Sequence, residues 1–314
     1  MGVQGRSLLC AGRFSPLEPK PHKTYAEQLA VLKSRGMLVE NDDAAIALLQ
    51  RAGYYTLSGY SHTFRRKAVD GSRSERFREG TSFESIHALW SFDNRLRAAT
   101  FASVQTVETH LRALIGYSLG AVDPLIHTKP ELLSISRANE YRIWYAKLET
   151  KVKDSREDFV VHHRDNRESV IPVWVAVDVL DWGGLSYLYS FMPTREREAV
   201  AAHFDLSAAQ LLSWLRSLNT VRNVCAHHSR FFNRHYAISP KLTRPGENVA
   251  LDEISSSKQS TFGMLSLIQH LGSKTQGHNQ RLLPTAVNSF PLESGLNFGA
   301  LGTSENWSTF QLWK

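Results

Sequence analysis

Cysteine is nearly missing from this chain: only Cys10 and Cys225 occur in 314 residues. Two thiols so far apart exclude the disulfide framework of a small secreted domain, and they exclude a Cys-rich zinc site. A reducing cytoplasm is the expected compartment. No apolar run approaches the roughly 18 residues that a membrane-spanning helix needs, so no membrane contact is expected. The opening residues have too short an apolar stretch for a secretory leader, and Leu9 precedes Cys10 where a lipoprotein site takes a small residue. Arg6 stands where an N-myristoylation signal has Ser or Thr, and residues 1–19 are read as a tail. Acidic residues are the smaller charged class, 30 against 37 Lys and Arg, for a formal charge of +7. That surplus suits a polyanionic partner without choosing between RNA and DNA. Internal repeats are lacking too.

What is present is helical periodicity. Leu29 and Leu32, then Ala44, Ala45, Leu48 and Leu49, predict two short helices on either side of the Arg35-Gly36 turn. Tyr54, Tyr55 and Tyr60 lie in a glycine-bounded aromatic stretch before the basic run Phe64-Arg65-Arg66-Lys67. A packed connector is the first reading of that stretch; RNA stacking on Tyr54 and Tyr55 beside Arg65 is the other. Ser82 opens a long helix to about Leu119, with an apolar stripe through Ile86, Leu89, Leu96, Val104, Val107, Leu111 and Leu114. On it Glu108 and Arg112 stand four apart, a salt-bridge spacing. A helix is expected over 139–154, a basic His-containing loop over 161–166, and a helix begun by Pro172 and stopped by Gly183-Gly184. Helices resume over 185–192, 195–203 and from Ser207 to about Arg230, the last capped by Asp205 or Ser207. Beyond Pro240 the composition shifts to Ser, Gly, Asn and Thr, with one apolar patch at Phe262 to Leu271, and a looser region is expected. The fold class is all-α.

The informative segment is Leu218 to Arg230. On a helix at about 100° per residue, Trp214, Leu218, Val221 and Cys225 share one face, and Asn219, Asn223, His227 and Arg230 share the opposite one. The ordinary fate of such a polar stripe is a solvated surface. Arg222 and His227 form an R-x4-H pair, a weak signal, since chance placement predicts about one such pair and Arg230 with His235 is another. Asn223 and the helical setting raise its weight. Residues five apart on a helix point about 140° from one another, so one copy aims Arg222 and His227 poorly at a common phosphate. Two copies crossing on a two-fold axis bring each His toward its partner's Arg, which predicts a homodimer.

Such a pocket has a definite chemistry. His titrates near neutrality and can take the proton of an RNA 2′-OH as that oxygen attacks the neighbouring phosphorus; a second His can protonate the leaving 5′-oxygen. Arg supplies fixed planar charge to the non-bridging oxygens, and Asn orients either group. The nucleophile belongs to the substrate, so neither metal nor cofactor is needed, and DNA resists.

At these residues the chain resembles the abortive-infection proteins of the AbiD and AbiF type, helical proteins of the HEPN fold. The resemblance runs over about residues 20–314. It includes Lys20-Pro21 with Gln28, Arg35-Gly36, Gly53-Tyr54-Tyr55, Leu57-Ser58-Gly59-Tyr60, and Phe92-Asp93 with Leu96-Arg97. It continues through Ile171-Pro172-Val173-Trp174, Gly184-Leu185-Ser186, Ser213-Trp214-Leu215, Arg222 through Arg230, Asn233-Arg234, Asn306-Trp307 and Leu312-Trp313. The resemblance implies a ribonuclease site on Arg222 and His227, with His228 inside the permitted spacing. It also implies a dimer, a role in phage defence or toxin-antitoxin control, and a regulatory small-RNA or antitoxin partner. The type VI CRISPR ribonucleases look like distant relatives sharing this site. Thr56 departs from the basic residue more usual there, and residues 241–260 match poorly.

The expected organisation is a tail (1–19), an N-terminal helical region (20–79), a HEPN-like ribonuclease domain (80–240) and a C-terminal extension (241–314). Arg222, Asn223 and His227 are the expected catalytic residues; His228, Arg230, Glu108 and Arg112 are secondary; Arg234, Tyr54, Tyr55 and Arg65 are the RNA contacts. His228 projects toward the apolar side, which favours a hydrogen-bonded packing role, and Cys225 is read as a small core residue. Two other functions compete. A metal hydrolase would use His162, His163, His227, His228 or His235, but adjacent histidines serve one metal poorly and no His-Glu-x-x-His or carboxylate cluster accompanies them. A non-catalytic module would hold a regulatory RNA in the same groove. The substrate expected for an enzyme is single-stranded RNA, tRNA loops among its possible forms.

Overall fold

The computed structural model describes residues 21–67, 72–166 and 171–314; the expected tail, with Cys10, lies outside them. Thr24 caps α1 (Tyr25–Ser34): its side chain accepts from the Glu27 N–H while the Glu27 carboxylate accepts from the Thr24 N–H. The chain reverses at Gly36, whose φ of +90° would strain any other residue. Asn41 caps α2 (Asp42–Ala52), accepting from the Ala44 N–H at 3.0 Å. Gly53 ends α2 and opens α3 (Tyr54–Ser61), so the aromatic segment is a short helix seated on buried Leu57 and Tyr60. An antiparallel ribbon of β1 (Arg65–Lys67) and β2 (Arg73–Phe77) follows.

The axis of the molecule is α4 (Phe83–Gly120), 38 residues and therefore about 57 Å long. Ser82 caps it, accepting from the Ser85 N–H at 3.0 Å. Of the expected stripe, Ile86, Leu89, Leu96, Val104, Val107 and Leu111 are buried; Leu114 is half-buried. Then come α5 (Ala138–Asp154) and α6 (Asp158–Asn166), the latter a helix where a basic loop was expected. Asp158 in its first turn and His163 and Arg164 in its last complement the helix dipole, so the charge of this segment supports a helix. Pro172 caps α7 (Val173–Val179), which packs closely on the C-terminal half of α4. Gly116 and Gly120 make that approach possible: a Cβ on Gly120 would lie 2.9 Å from Trp174 Cε3.

α7 stops at Val179, before the glycines expected to end it. Gly183 and Gly184 instead belong to the first turn of α8 (Trp182–Phe191), because Asp181 caps that helix by accepting from the Gly184 N–H at 2.7 Å. α9 (Thr194–Ala202) leads to α10 (Ala208–Ala226), whose capping box uses Ser207 and Gln210, while Asp205 lies outside it at φ +55°. Leu211, Trp214, Leu218, Val221 and Cys225 are buried, as the apolar face required. The helix ends at Ala226, shorter than the expected Arg230: His227 is the cap residue and His228 turns left-handed at φ +54°.

The C-terminal region is not loose. After α11 (Val249–Asp252), α12 (Thr261–Ser273) packs on α4 and α10 and is buried on every side from Thr261 to Gly272; α13 (Leu282–Asn288) also lies on α4. Small residues are what let it be surrounded. A Cβ on Gly263 would sit 2.3 Å from the Ser257 carbonyl oxygen, and Ser266 Oγ accepts from Trp313 Nε1 at 3.0 Å. No helix among the described residues is long and apolar enough to cross a membrane.

Candidate functional site

Two stations on α4 define the surroundings of the α10 segment. At the first, Asp93 is fully buried and accepts from the Tyr60 hydroxyl at 2.6 Å, Arg97 Nη1 at 2.7 Å, and the N–H groups of Phe231 and Phe232 at 3.1 and 2.7 Å. Burial lifts the Asp93 carboxyl above its ordinary range against the pull of those donors, and it lifts the Tyr60 phenol likewise. Arg97 also donates to Asn94 Oδ1 and, at 3.4 Å, to the Ser229 carbonyl. This network ties the chain just after His227 and His228 to the middle of the protein. The sequence reading missed its role. Its signal was present in an Asp and an Arg four apart on an apolar helical stripe, together with Tyr60, all among the residues carrying the family resemblance.

At the second station Glu108, 7% exposed, lies between two arginines. Arg112 Nη2 donates to Glu108 Oε1 at 2.5 Å and to the Leu180 carbonyl at 2.7 Å, and Arg112 Nη1 donates to the carbonyls of Val177 and Asp178 at 3.0 and 2.7 Å. Arg112 is thus the C-terminal clamp of α7. Arg222 approaches the other carboxylate oxygen, with Nε 3.9 Å from Glu108 Oε2; that Nε has no hydrogen-bond partner, and the guanidinium carbon lies 5.9 Å from the Phe101 ring centroid. Asp181 adds a third acid. Burial works to raise its carboxyl, but the Gly184 N–H, the Lys151 ammonium at 3.0 Å and the charge of Arg222 outweigh it and hold it below the usual range.

The structure therefore brings Glu108, Arg112 and Arg222 together, and it separates other expected members. Asn223 and His227 are exposed, and among the described residues neither ring nitrogen of His227 is hydrogen-bonded. No hydrogen bond joins Arg222 to His227 among the described residues, and five positions along a helix set their side chains about 140° apart. His228 is exposed and without a hydrogen bond to its ring, contrary to the packing role expected of it, because the helix has already ended. Arg230 is off the helix and so leaves the polar stripe: its Nη1 donates to the Gly59 carbonyl, fastening the turn to α3. Arg234 is half-buried and donates from Nε to the Arg230 carbonyl at 3.1 Å. Tyr54 accepts from Arg35 at 3.3 Å, Tyr55 is 79% exposed, and Arg65 sits half-buried in β1. Cys225 is buried, and burial pushes its thiol up to about 12.

No group of three or more His, Cys, Asp or Glu side chains able to hold a metal occurs among the described residues. His162 and His163 pack edge to face on α6, and His235 is in the bridge to Ser260, each on a different element from His227. Neither the curated proteins nor the solved structures gave a match to the chain. The model of one family, described as Abi-like protein, matches residues 47–233. That span runs from within α2 to the turn beyond α10, and it holds Tyr60, Asp93, Glu108, Arg112, Arg222 and His227. It covers more than half of the protein, and the chain therefore belongs to the Abi-like family, whose role is in abortive infection, a form of antiviral defence.

Proposed function

We propose that this protein acts in abortive infection as a HEPN-type toxin, a metal-independent endoribonuclease of the AbiD and AbiF kind, working as a homodimer in the cytoplasm. The observation that carries the reading is the loose commitment of Arg222 and His227: a half-buried guanidinium whose enclosed Nε has no hydrogen bond and only a 3.9 Å approach to Glu108, and an exposed imidazole with no hydrogen bond among the described residues. A half-buried guanidinium usually finds acceptors within the protein, and Arg222, held only loosely, is left for a ligand. Phosphate oxygens fit the planar fork of Arg222, which Glu108, held in turn by Arg112, attracts across 3.9 Å without a hydrogen bond. His227 takes the 2′-OH proton, the 2′-oxygen attacks phosphorus, the P–O5′ bond breaks as a second His227 protonates the leaving oxygen, and the products are a 2′,3′-cyclic phosphate and a 5′-hydroxyl. The separation of Arg222 from His227 in one copy supports a composite site, each Arg222 meeting the partner's His227 across a two-fold axis.

The same separation also supports the second reading, a non-catalytic module holding a regulatory small RNA or an antitoxin-linked RNA. One experiment decides between them. Wild-type protein and His227→Ala are incubated with total bacterial RNA in excess chelator, and fragment ends are mapped. Cyclic phosphate ends from wild type alone support the ribonuclease and name its substrate, tRNA loops or other. RNA retained intact by a confirmed dimer supports the binding module.

A further inference from the structure

Beside the Arg222 station, a cleft of about 240 Å³ opens between α5 and the start of α8. Its floor is the Trp144 indole, 4% exposed, with Nε1 donating to the Gly184 carbonyl at 2.9 Å. Ile143 and Tyr187 both line it and are 49% and 46% exposed, an unusual exposure for two large apolar side chains at one cavity. Lys147 and Lys151 lie along the α5 edge. Lys151 is paired with Asp181, whereas Lys147 has no ion-pair partner among the described residues. The cleft leads to the candidate site: Asp181, on its wall, feels the Arg222 charge, and a Cβ on Gly183 would lie 3.6 Å from Asn219 Nδ2 on α10.

From this arrangement we infer that the α5–α8 cleft is the seat of one unpaired nucleotide of the RNA strand, adjacent to the phosphate held at Arg222. The inference rests on the RNA-directed reading above. The base lies flat between Ile143 and Tyr187 over the indole, and its phosphate meets Lys147. A cavity of this size takes a planar ring system but not a partner helix, whose diameter with side chains is about 10 Å. Because Trp144 Nε1 is already occupied, the floor offers a face and no donor, so the site selects for an unstacked base and discriminates little among bases.

The test uses the full chain and single-stranded 2′-O-methyl oligonucleotides, which lack the free 2′-OH, with 5-iodouridine at one position. After irradiation, the crosslinked peptide is located by mass spectrometry. Crosslinks on Tyr187 or Trp144 are expected; crosslinks confined to residues outside α5 and α8 overturn the inference. In parallel, cleavage kinetics on the matching oligoribonucleotide are measured for Tyr187→Ala, Tyr187→Phe and, as a distant control, Tyr117→Ala. Stacking of one base on an aromatic ring predicts a KM raised about tenfold in Tyr187→Ala with kcat within about twofold, rescue by Tyr187→Phe, and no change in Tyr117→Ala. A wild type that cuts RNA with Tyr187→Ala unchanged in KM sinks the cleft and spares the ribonuclease. Crosslinking at Tyr187 without any cutting does the reverse.

Discussion

On α4 the carboxylate of Asp93 is enclosed and takes four donors, whereas that of Glu108, about four turns further along, is bound firmly on one side and loosely on the other. Both acids face arginines, yet the arginines differ. Arg97 is 8% exposed in its side chain and lies 2.7 Å from Asp93; Arg222 is 29% exposed and 3.9 Å from Glu108. The first station is an anchor, with its polar groups matched inside the protein. The second has one donor, the Arg222 Nε, without a hydrogen bond among the described residues, and a half-buried guanidinium only loosely paired, which is how a binding surface differs from a structural one. Placing them in sequence along one rigid helix lets the anchor fix the end of α10 while the open station presents Arg222.

Breaking the anchor has the largest expected effect. Asp93→Ala leaves the Arg97 charge buried and unpaired, and it strips acceptors from Tyr60, Phe231 and Phe232. A loss of about 3–5 kcal/mol in unfolding free energy is expected, measured by urea denaturation. A loss below about 1 kcal/mol would show that the turn after His228 is held by its hydrophobic packing alone.

The anchor also marks the limit of what could be read from the sequence. The caps at Ser82 and Ser207, the stripe of α4 and the apolar face of α10 follow from local pattern, and they put Asn223 and His227 on the side of α10 away from its core face. The end of α10 was not local. It depends on Phe231 and Phe232 donating to a carboxylate 138 and 139 positions earlier, and on His228 taking a left-handed backbone; helical periodicity reports neither. Arg230 and His228 were misplaced for that reason. The apolar patch at 262–271 is the buried α12, but the region around it was misjudged as loose by its Ser, Gly, Asn and Thr content, although residues such as Gly263 and Ser266 are what permit the closest packing.

Histidines show the same division between enclosed and open. His127 is 2% exposed, its Nδ1 has no partner, and burial, opposed only by Asp123, lowers it to about 4; His227 is exposed. A folded-state value depressed below the unfolded 6.5 means that the stability held by a neutral His127 is complete above pH 6.5 and is lost as pH falls through about 4. At about 1.36 kcal/mol per pH unit, the loss over that window is on the order of 3 kcal/mol. Urea midpoints collected between pH 7 and pH 4 should therefore fall less steeply for His127→Gln than for wild type. Parallel slopes for the two would mean that His127 takes up its proton as readily in the folded protein as in the unfolded chain.

The smallest expected effect is the sharpest test of the open station, because it compares two arginines on one carboxylate. Arg112→Ala removes a guanidinium bonded to Glu108 and to three carbonyls at the end of α7, a loss of about 2–3 kcal/mol for bonds involving a charged group. Arg222→Ala removes a partly exposed cation with a 3.9 Å ion pair and no hydrogen bond at Nε, and pairs of that kind contribute under about 1 kcal/mol. Urea melts of the two variants should differ accordingly, while RNA cleavage or retention should fail in Arg222→Ala. If Arg222→Ala instead unfolds as readily as Arg112→Ala, Arg222 is a second structural clamp on Glu108. Its loose pairing would then be no argument for a phosphate, and the RNA-directed reading of this helix end would rest on His227 alone.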